Sequence, residues 1–256
     1  MKKLLLGISL LLGTGVSQGQ DATSLASDLF SPRRIVKTNL AGYALLVVNA
    51  NYEQKVGLKT SVGLMGGYKL PSTIHVDAIG ELDGENQTYS GDVEPQGLFL
   101  NPYFRFYPGE TFKGFYVEAF GRYYDYTFLV PYDYEKNGGT INANLDGTAK
   151  GMGGGLAIGV QIELGPRVYL DINGGYGYGS GDIHVETNDP NLDAADYASI
   201  AQNIEQHEED ADVKVMLLDN VLTGVDADAN ASSAWADIEG RMFPIIRGGV
   251  AIGFAF

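Results

Sequence analysis

The sequence predicts an all-β fold: an eight-stranded antiparallel up-and-down transmembrane β-barrel with a long acidic, partly helical extracellular loop. Three observations carry this prediction. The chain opens with an export leader, its later segments alternate with apolar residues on one face and ionisable ones on the other, and its connections alternate between tight turns and long polar loops.

The leader comes first. Lys2 and Lys3 precede an apolar run from Leu4 to Leu12 and a small, polar stretch from Gly13 to Gln20, the layout of a secretory signal peptide. Ser17 and Gly19 fit the small-residue positions before a cleavage site. Residues 1–19 are therefore read as signal peptide, 20–33 as an N-terminal periplasmic segment and 34–256 as the barrel. An apolar core this short cannot cross ~30 Å of hydrocarbon as a helix. The chain has no cysteine, which removes both lipoprotein acylation and disulfides.

Thirty-five glycines and 16 tyrosines in 256 residues lean towards β structure, and no later segment reads as a spanning helix. A membrane location then requires a closed barrel, because only helices and barrels satisfy every backbone hydrogen bond in lipid. The net charge of -15 argues against nucleic acid as a partner, since phosphate binding needs clustered Lys and Arg. Most of that charge sits in one place: between Gly181 and Gly240 fifteen acids less one lysine give -14, leaving the remainder near neutral. This stretch, 181–240, is read as an acidic loop inserted in the barrel.

Eight runs can each reach the ~9 to 11 residues of a tilted membrane strand. They lie near 34–43, 45–55, 59–70, 97–107, 114–128, 150–164, 167–179 and 245–256. Gln54 to Leu58, Pro108 to Gly114 and Gly165 to Arg167 are short turns, whereas 71–96, 129–149 and 180–243 are expected as long polar loops. Short turns at one end and long loops at the other is the asymmetry of outer-membrane barrels, with the turns in the periplasm. The first outer connection, near Ala44, is unusually tight.

The faces are clearest in the last three runs. Met152, Leu156, Ile158, Val160, Ile162 and Leu164 share one face of the sixth, opposite glycines, Ala157, Gln161 and Glu163. In the seventh, Val168, Leu170, Ile172, Tyr176 and Tyr178 oppose Tyr169, Asp171 and Asn173. The eighth sets Ile246, Val250, Ile252, Phe254 and Phe256 against Arg247, Gly249, Ala251, Gly253 and Ala255. Apolar outside and small or polar inside reverses the order of a soluble domain. The inward set also takes in Lys37, Asn39, Asn49, Asn51, Glu53, Asn101, Arg105, Glu118 and Arg122. An eight-stranded lumen is only wide enough for side chains, so these charges must pair. Arg105, Glu118 and Arg122 are the expected cluster.

Lys37-Thr38-Asn39-Leu40, Asn101-Pro102-Tyr103-Phe104-Arg105-Phe106-Tyr107 and the terminal Gly253-Phe254-Ala255-Phe256 resemble small outer-membrane barrels of the OmpA/OmpX-like superfamily, in a branch opening with a Lys-Thr-Asn-Leu strand. The resemblance covers about residues 33–180 and 244–256 and leaves the acidic loop unmatched. It implies a Gram-negative outer-membrane location and a fold, and no reaction. It also implies that Val250, Ile252, Phe254 and Phe256 form the carboxy-terminal signal read by the outer-membrane assembly machinery. No periplasmic peptidoglycan-binding domain is expected after the last strand.

Chemistry-bearing motifs are sparse. The glycine clusters at 151–155 and 174–181 miss both dinucleotide-binding and P-loop spacings. The Gly-x-Ala-Ile-Gly stretches at 155–159 and 249–253 are read as strand glycines making room for Arg and Tyr across the lumen. His75, His184 and His207 all fall in expected loops, and no spacing matches a zinc site. In the acidic loop, Asp189-Pro190 reads as a helix start, followed by Tyr197, Ile200 and Ile204 at helical spacing; a second short helix would hold Val213, Leu217 and Val221. Finally, Asp226, Asp228 and Asn230 occupy positions one, three and five of a twelve-residue segment ending at Asp237, an arrangement for Ca²⁺ weakened by Ala231 at the turn and by an Asp at the twelfth place. Without that ion no cofactor is expected.

These readings converge on an outer-membrane barrel without an open pore, not an enzyme, with a structural or surface-interaction role. Its expected partners are outer-membrane lipid and lipopolysaccharide, the assembly machinery, and an extracellular partner met through the acidic loop. The alternative is a lipid-modifying enzyme built on the loop histidines.

Overall fold

The computed structural model describes residues 32–75, 87–210 and 225–256. The signal peptide and the second helix expected at Val213, Leu217 and Val221 lie outside the described residues. The unit Arg33–Phe256 runs in order through β1 (Arg34–Asn39), α1 (Leu40–Ala44), β2 (Val47–Lys55), β3 (Thr60–Lys69), β4 (Ile74–His75), β5 (Gln87–Tyr89) and β6 (Asp92–Val93). It continues through β7 (Gln96–Phe106), β8 (Gly114–Lys136), β9 (Gly139–Gly165), β10 (Val168–Thr187), α2 (Ala194–Asp210), β11 (Val225–Ala229) and β12 (Ala234–Ala255).

Eight strands close a ring in the order β1-β2-β3-β7-β8-β9-β10-β12, every pair antiparallel, with β12 returning to β1. The seam is stapled at its end by reciprocal bonds: the Arg34 amide donates to the Phe256 carbonyl and the Phe256 amide to that of Arg34. Closure leaves no unpaired edge in the ring. One ladder has a gap with a clear cause. Pro102 pairs with Leu64 on β3, but the β7–β8 register skips from Leu100 to Tyr103, because proline has no amide to donate. Among the described residues no helix is long and apolar enough to cross a membrane, which says nothing of strands.

Strand lengths differ from those read in the sequence. Expected as a loop, 129–149 is instead the upper part of one long hairpin, in which β8 and β9 pair from Gly114↔Gln161 to Lys136↔Gly139. Its tip is Asn137-Gly138, with φ of 54° and 75°, the pair of left-handed residues that a two-residue hairpin turn requires. Likewise β10 and β12 stay paired up to Thr187↔Ala234, past a register shift between Gly181 and Ile183. The first strand is shorter than expected: it ends at Asn39, whose side chain accepts from the Ala41 amide and starts the one-turn α1.

The alternation holds along the whole hairpin, but its chemistry changes sign. On the outward face of β8 and β9, Phe115, Val117, Tyr123, Met152, Leu156 and Ile158 are all exposed apolar residues. Above the Tyr123↔Met152 pair the next outward pair is Asp125↔Lys150, an ion pair at 3.3 Å, and beyond it stand Asp133, Glu135, Asn142 and Asn144. The inward face changes in the opposite sense. Low in the ring it carries Glu118, Gln161 and Asp171, and in the tall part Val130, Tyr132, Tyr134, Ala143 and Leu145, which form a buried cluster.

That upper cluster is completed by α2 and the β11–β12 hairpin. Tyr197 and Ile200 are fully buried on it and Ile204 partly, together with Val225, Ala227 and Ile238. The helical spacing of the three α2 residues matches the expectation, but the cap does not. Asp193, not Asp189, receives the first amides of the helix, from Ala195 and Asp196. Asp189 instead accepts from the Asn191 amide in a turn, and Pro190 precedes the helix. Fully burying side chains such as Ile200 and Tyr197 is worth roughly 1.5–3 kcal/mol each, and it is this contact rather than propensity that holds α2.

Candidate functional site

The site that the ring builds is a charged network across its lower interior. Arg105 on β7 is fully buried and reaches around the wall. Its Nε donates to Glu118 on β8 at 2.8 Å, and its Nη1 reaches Asp171 on β10 at 2.7 Å and Glu53 on β2 at 3.1 Å. Lys37 on β1 bridges the same two carboxylates, Glu53 and Asp171, at 2.5 Å each. Tyr107 donates to Glu53 at 2.8 Å, Tyr116 to Asp171 at 2.5 Å, and Ser61 also donates to Glu53. The Arg105 guanidinium lies between the Tyr116 and Tyr103 rings, 4.0 and 4.7 Å from their centroids.

Local sequence makes this possible in two ways. The period of two brings alternate residues of every strand inward, and small residues opposite the aromatics leave them room. A Cβ at Gly63 would collide with the Tyr103 ring, and one at Gly159 with Tyr116. Charge accounting favours compactness: two fully buried cations, Lys37 and Arg105, meet three carboxylates, and Arg247 Nη1 stands 2.9 Å from the outer oxygen of Glu118. Such buried ions are tolerated only when each is paired and hydrogen-bonded.

Of the three residues expected to cluster, Arg105 and Glu118 face each other in register and are bonded. Arg122 sits higher on β8, its guanidinium 5.1 Å from the Phe99 ring, with no ion pair among the described residues. Arg247 takes the place beside Glu118 that the sequence reading gave to Arg122. Alternation identifies the inward face but not the height, which strand stagger decides.

The residues of the expected Ca²⁺ segment lie on a β-hairpin, with Asp226 opposite Asp237 and Asp228 opposite Trp235. The Asn230 side-chain oxygen accepts from the Ser232 and Ser233 amides and closes the turn. Among the described residues no group of three or more His, Cys, Asp or Glu side chains is placed to hold a metal.

The histidines are dispersed. His75 pairs with Asp92 at 3.0 Å in the small β4–β6 sheet, and His184 with Asp237 at 2.6 Å on the outward face of β10 and β12. The side chain of His207 lies outside the described residues. At the opposite end of the molecule, Val250, Ile252, Phe254 and Phe256 share the outward face and are all exposed.

Above the ring, one contact links the hairpin tip to the helix. Lys136 meets Asp193 at 2.9 Å and also Asp196. The two carboxylates push its ammonium up to about 12, and Lys136 in turn holds the Asp193 carboxyl below its usual range.

Residues 22–185 match the family described as Protein of unknown function (DUF3575). Among proteins of curated function none matches the chain. A crystal structure of Acinetobacter baumannii CarO is similar at 11% identity over 89% of this chain and 99% of that one, with a TM-score of 0.37.

Proposed function

The chain belongs to the DUF3575 family, and we propose that it is an outer-membrane β-barrel without an open pore that holds a folded platform outside the membrane for surface interactions. One observation carries this reading: the reversal of inside and outside along single strands. Below Tyr123 and Met152 the wall is apolar outward and charged inward, as hydrocarbon demands; above them it is polar outward with an apolar core, as water demands. Outward aromatics support two girdles, with Phe104, Phe106, Phe115 and Phe254 towards the turn end and Tyr43, Tyr68, Tyr123, Tyr176 and Tyr178 towards the other.

The Arg105 network supports closure, since it joins strands on opposite sides of the ring and crosses its lower lumen. The outward Val250, Ile252, Phe254 and Phe256 support recognition by the assembly machinery, in keeping with the resemblance to OmpA/OmpX-like barrels. The acidic platform faces anionic lipopolysaccharide and needs divalent ions to screen it. A lipid-modifying enzyme would need a nucleophile beside a histidine and its orienting acid, and His75 and His184 each pair with an aspartate, Asp92 and Asp237.

Cell fractionation with heat-modifiable gel migration tests the reading. The protein should sediment with outer membranes and migrate faster unheated than boiled. Recovery in the soluble periplasm would overturn it.

A further inference from the structure

Between the charged network and α1 the barrel holds a partly open cavity of about 390 Å³, lined by Asp171 and Asn101 on the network side and by Ala41, Gly42 and Lys69 on the α1 side. Its volume lies in the range of sites that hold small molecules. Some of the buried polar atoms along it have no hydrogen-bond partner. The Oδ1 of Asn101, a residue only 3% exposed, has no hydrogen-bond partner, and neither does Nη1 of Arg247, which stands beside Glu118 without aligning on it. Arg122 has no ion pair among the described residues, its guanidinium lying over Phe99. Other lining amides are committed elsewhere, Asn49 to Asn39 and Val47, and Asn51 to Tyr103.

We infer that this cavity is a binding site for a small hydroxylated carboxylate, of the chemical class of sugar acids. The charge and the donor pattern together select that class. The charged residues lining the cavity are Lys69, Arg122 and Arg247 against Asp171 alone, three cations against one carboxylate, so the missing charge is negative. A guanidinium binds a carboxylate through paired N–H donors, and Arg122, which has no ion pair among the described residues, lines the cavity with such donors available. The unpartnered Asn101 oxygen is an acceptor, so the ligand must also bring a donor, which a hydroxyl supplies and a bare inorganic anion does not. A buried polar group left without a partner is costly, so the site favours a molecule that satisfies both kinds of group. The inference stands apart from the membrane location proposed above, because it is tested on purified protein.

Calorimetric titration of the detergent-purified, full-length barrel with sodium gluconate, against equal sodium chloride, tests it. Sorbitol serves as the same polyol without the carboxylate. Gluconate should bind saturably and sorbitol at least about tenfold more weakly. Arg122→Gln, which removes the charge without touching the ion network, should weaken gluconate by about tenfold or more, and Asn101→Leu should weaken it as well. Unheated gel migration confirms that each variant is folded. An absence of saturable binding would mean a cavity holding only water, and equal binding of sorbitol would mean a neutral polyol site. Affinity unchanged in folded Arg122→Gln would also overturn the assignment.

Discussion

Arg105 is the side chain on which the lumen depends. It is wholly buried, bonded to Glu53, Glu118 and Asp171, and sandwiched by Tyr103 and Tyr116. Replacing such ions with apolar groups of the same shape can be neutral, but removing one partner strands the others. Arg105→Ala should therefore cost on the order of 3–5 kcal/mol, and Glu118→Ala a similar amount, because Arg105 and Arg247 both lose a carboxylate. Arg122→Ala should change stability by less than about 0.5 kcal/mol, since it breaks no ion pair. Midpoints of heat-modifiable migration measure all three. Equal midpoints for Arg105→Ala and Arg122→Ala would mean that water reaches the network. The sequence made Arg105 and Glu118 legible as an inward pair, whereas Lys37 and Asp171 were visible only as members of an inward face. Their meeting joins residues 134 apart in the chain, and no local pattern encodes it.

At the scale of elements, the long β8–β9 hairpin and α2 form one unit tied at the tip by Lys136. Asp193 caps the helix and accepts from Lys136 at 2.9 Å, so the tip and the first turn of α2 are coupled. The pH window follows from the two shifts. Asp193 is held below its ordinary value of 3.8, so its contribution is complete above that pH and disappears as pH falls through the lowered value. Lys136 is raised from 10.5 to about 12, so its contribution is complete below 10.5 and disappears as pH rises through about 12. Amide protection in the first turn of α2 should thus be flat from about pH 4 to pH 10 and fall on the acid side. Hydrogen exchange corrected for its intrinsic pH dependence measures this, and Lys136→Ala should lower the protection throughout that window. Protection that ignores Lys136 would mean that the apolar contacts of Tyr197 and Ile200 alone set it. The Asn137-Gly138 pair was a readable hairpin signal, yet the polar outward residues around it resemble a loop when read without their apolar inward partners.

For the whole molecule, the reversal of the two faces divides one continuous wall into a ring with an apolar outer face and a platform with a polar one. That division predicts an orientation. Lys150, 59% exposed just above the apolar band, should react with an impermeant amine reagent on intact cells. Lys113, 48% exposed at the turn end, should react only after the envelope is opened. Mass spectrometry of the labelled peptides reads the result, and the opposite pattern would invert the topology. The platform also gives the charge a place: among the described residues, Asp182, Glu186, Asp226, Asp228 and Asp237 stand on the outward faces of β10, β11 and β12, around an apolar core.

By itself the sequence determined the alternation, the parity of turns and loops, the inward identity of the charged residues and the helical spacing of Tyr197, Ile200 and Ile204. These are properties of neighbours along the chain, where strand and helix periods act directly. Only the tertiary structure decided which inward charges meet, how high each strand rises, and that the Asp226–Asp237 segment folds back as a hairpin. The reason is physical. Register and stagger around a closed ring are fixed by all eight strands together, and a shift of two residues in any one would keep every side chain on its proper face while breaking each pair.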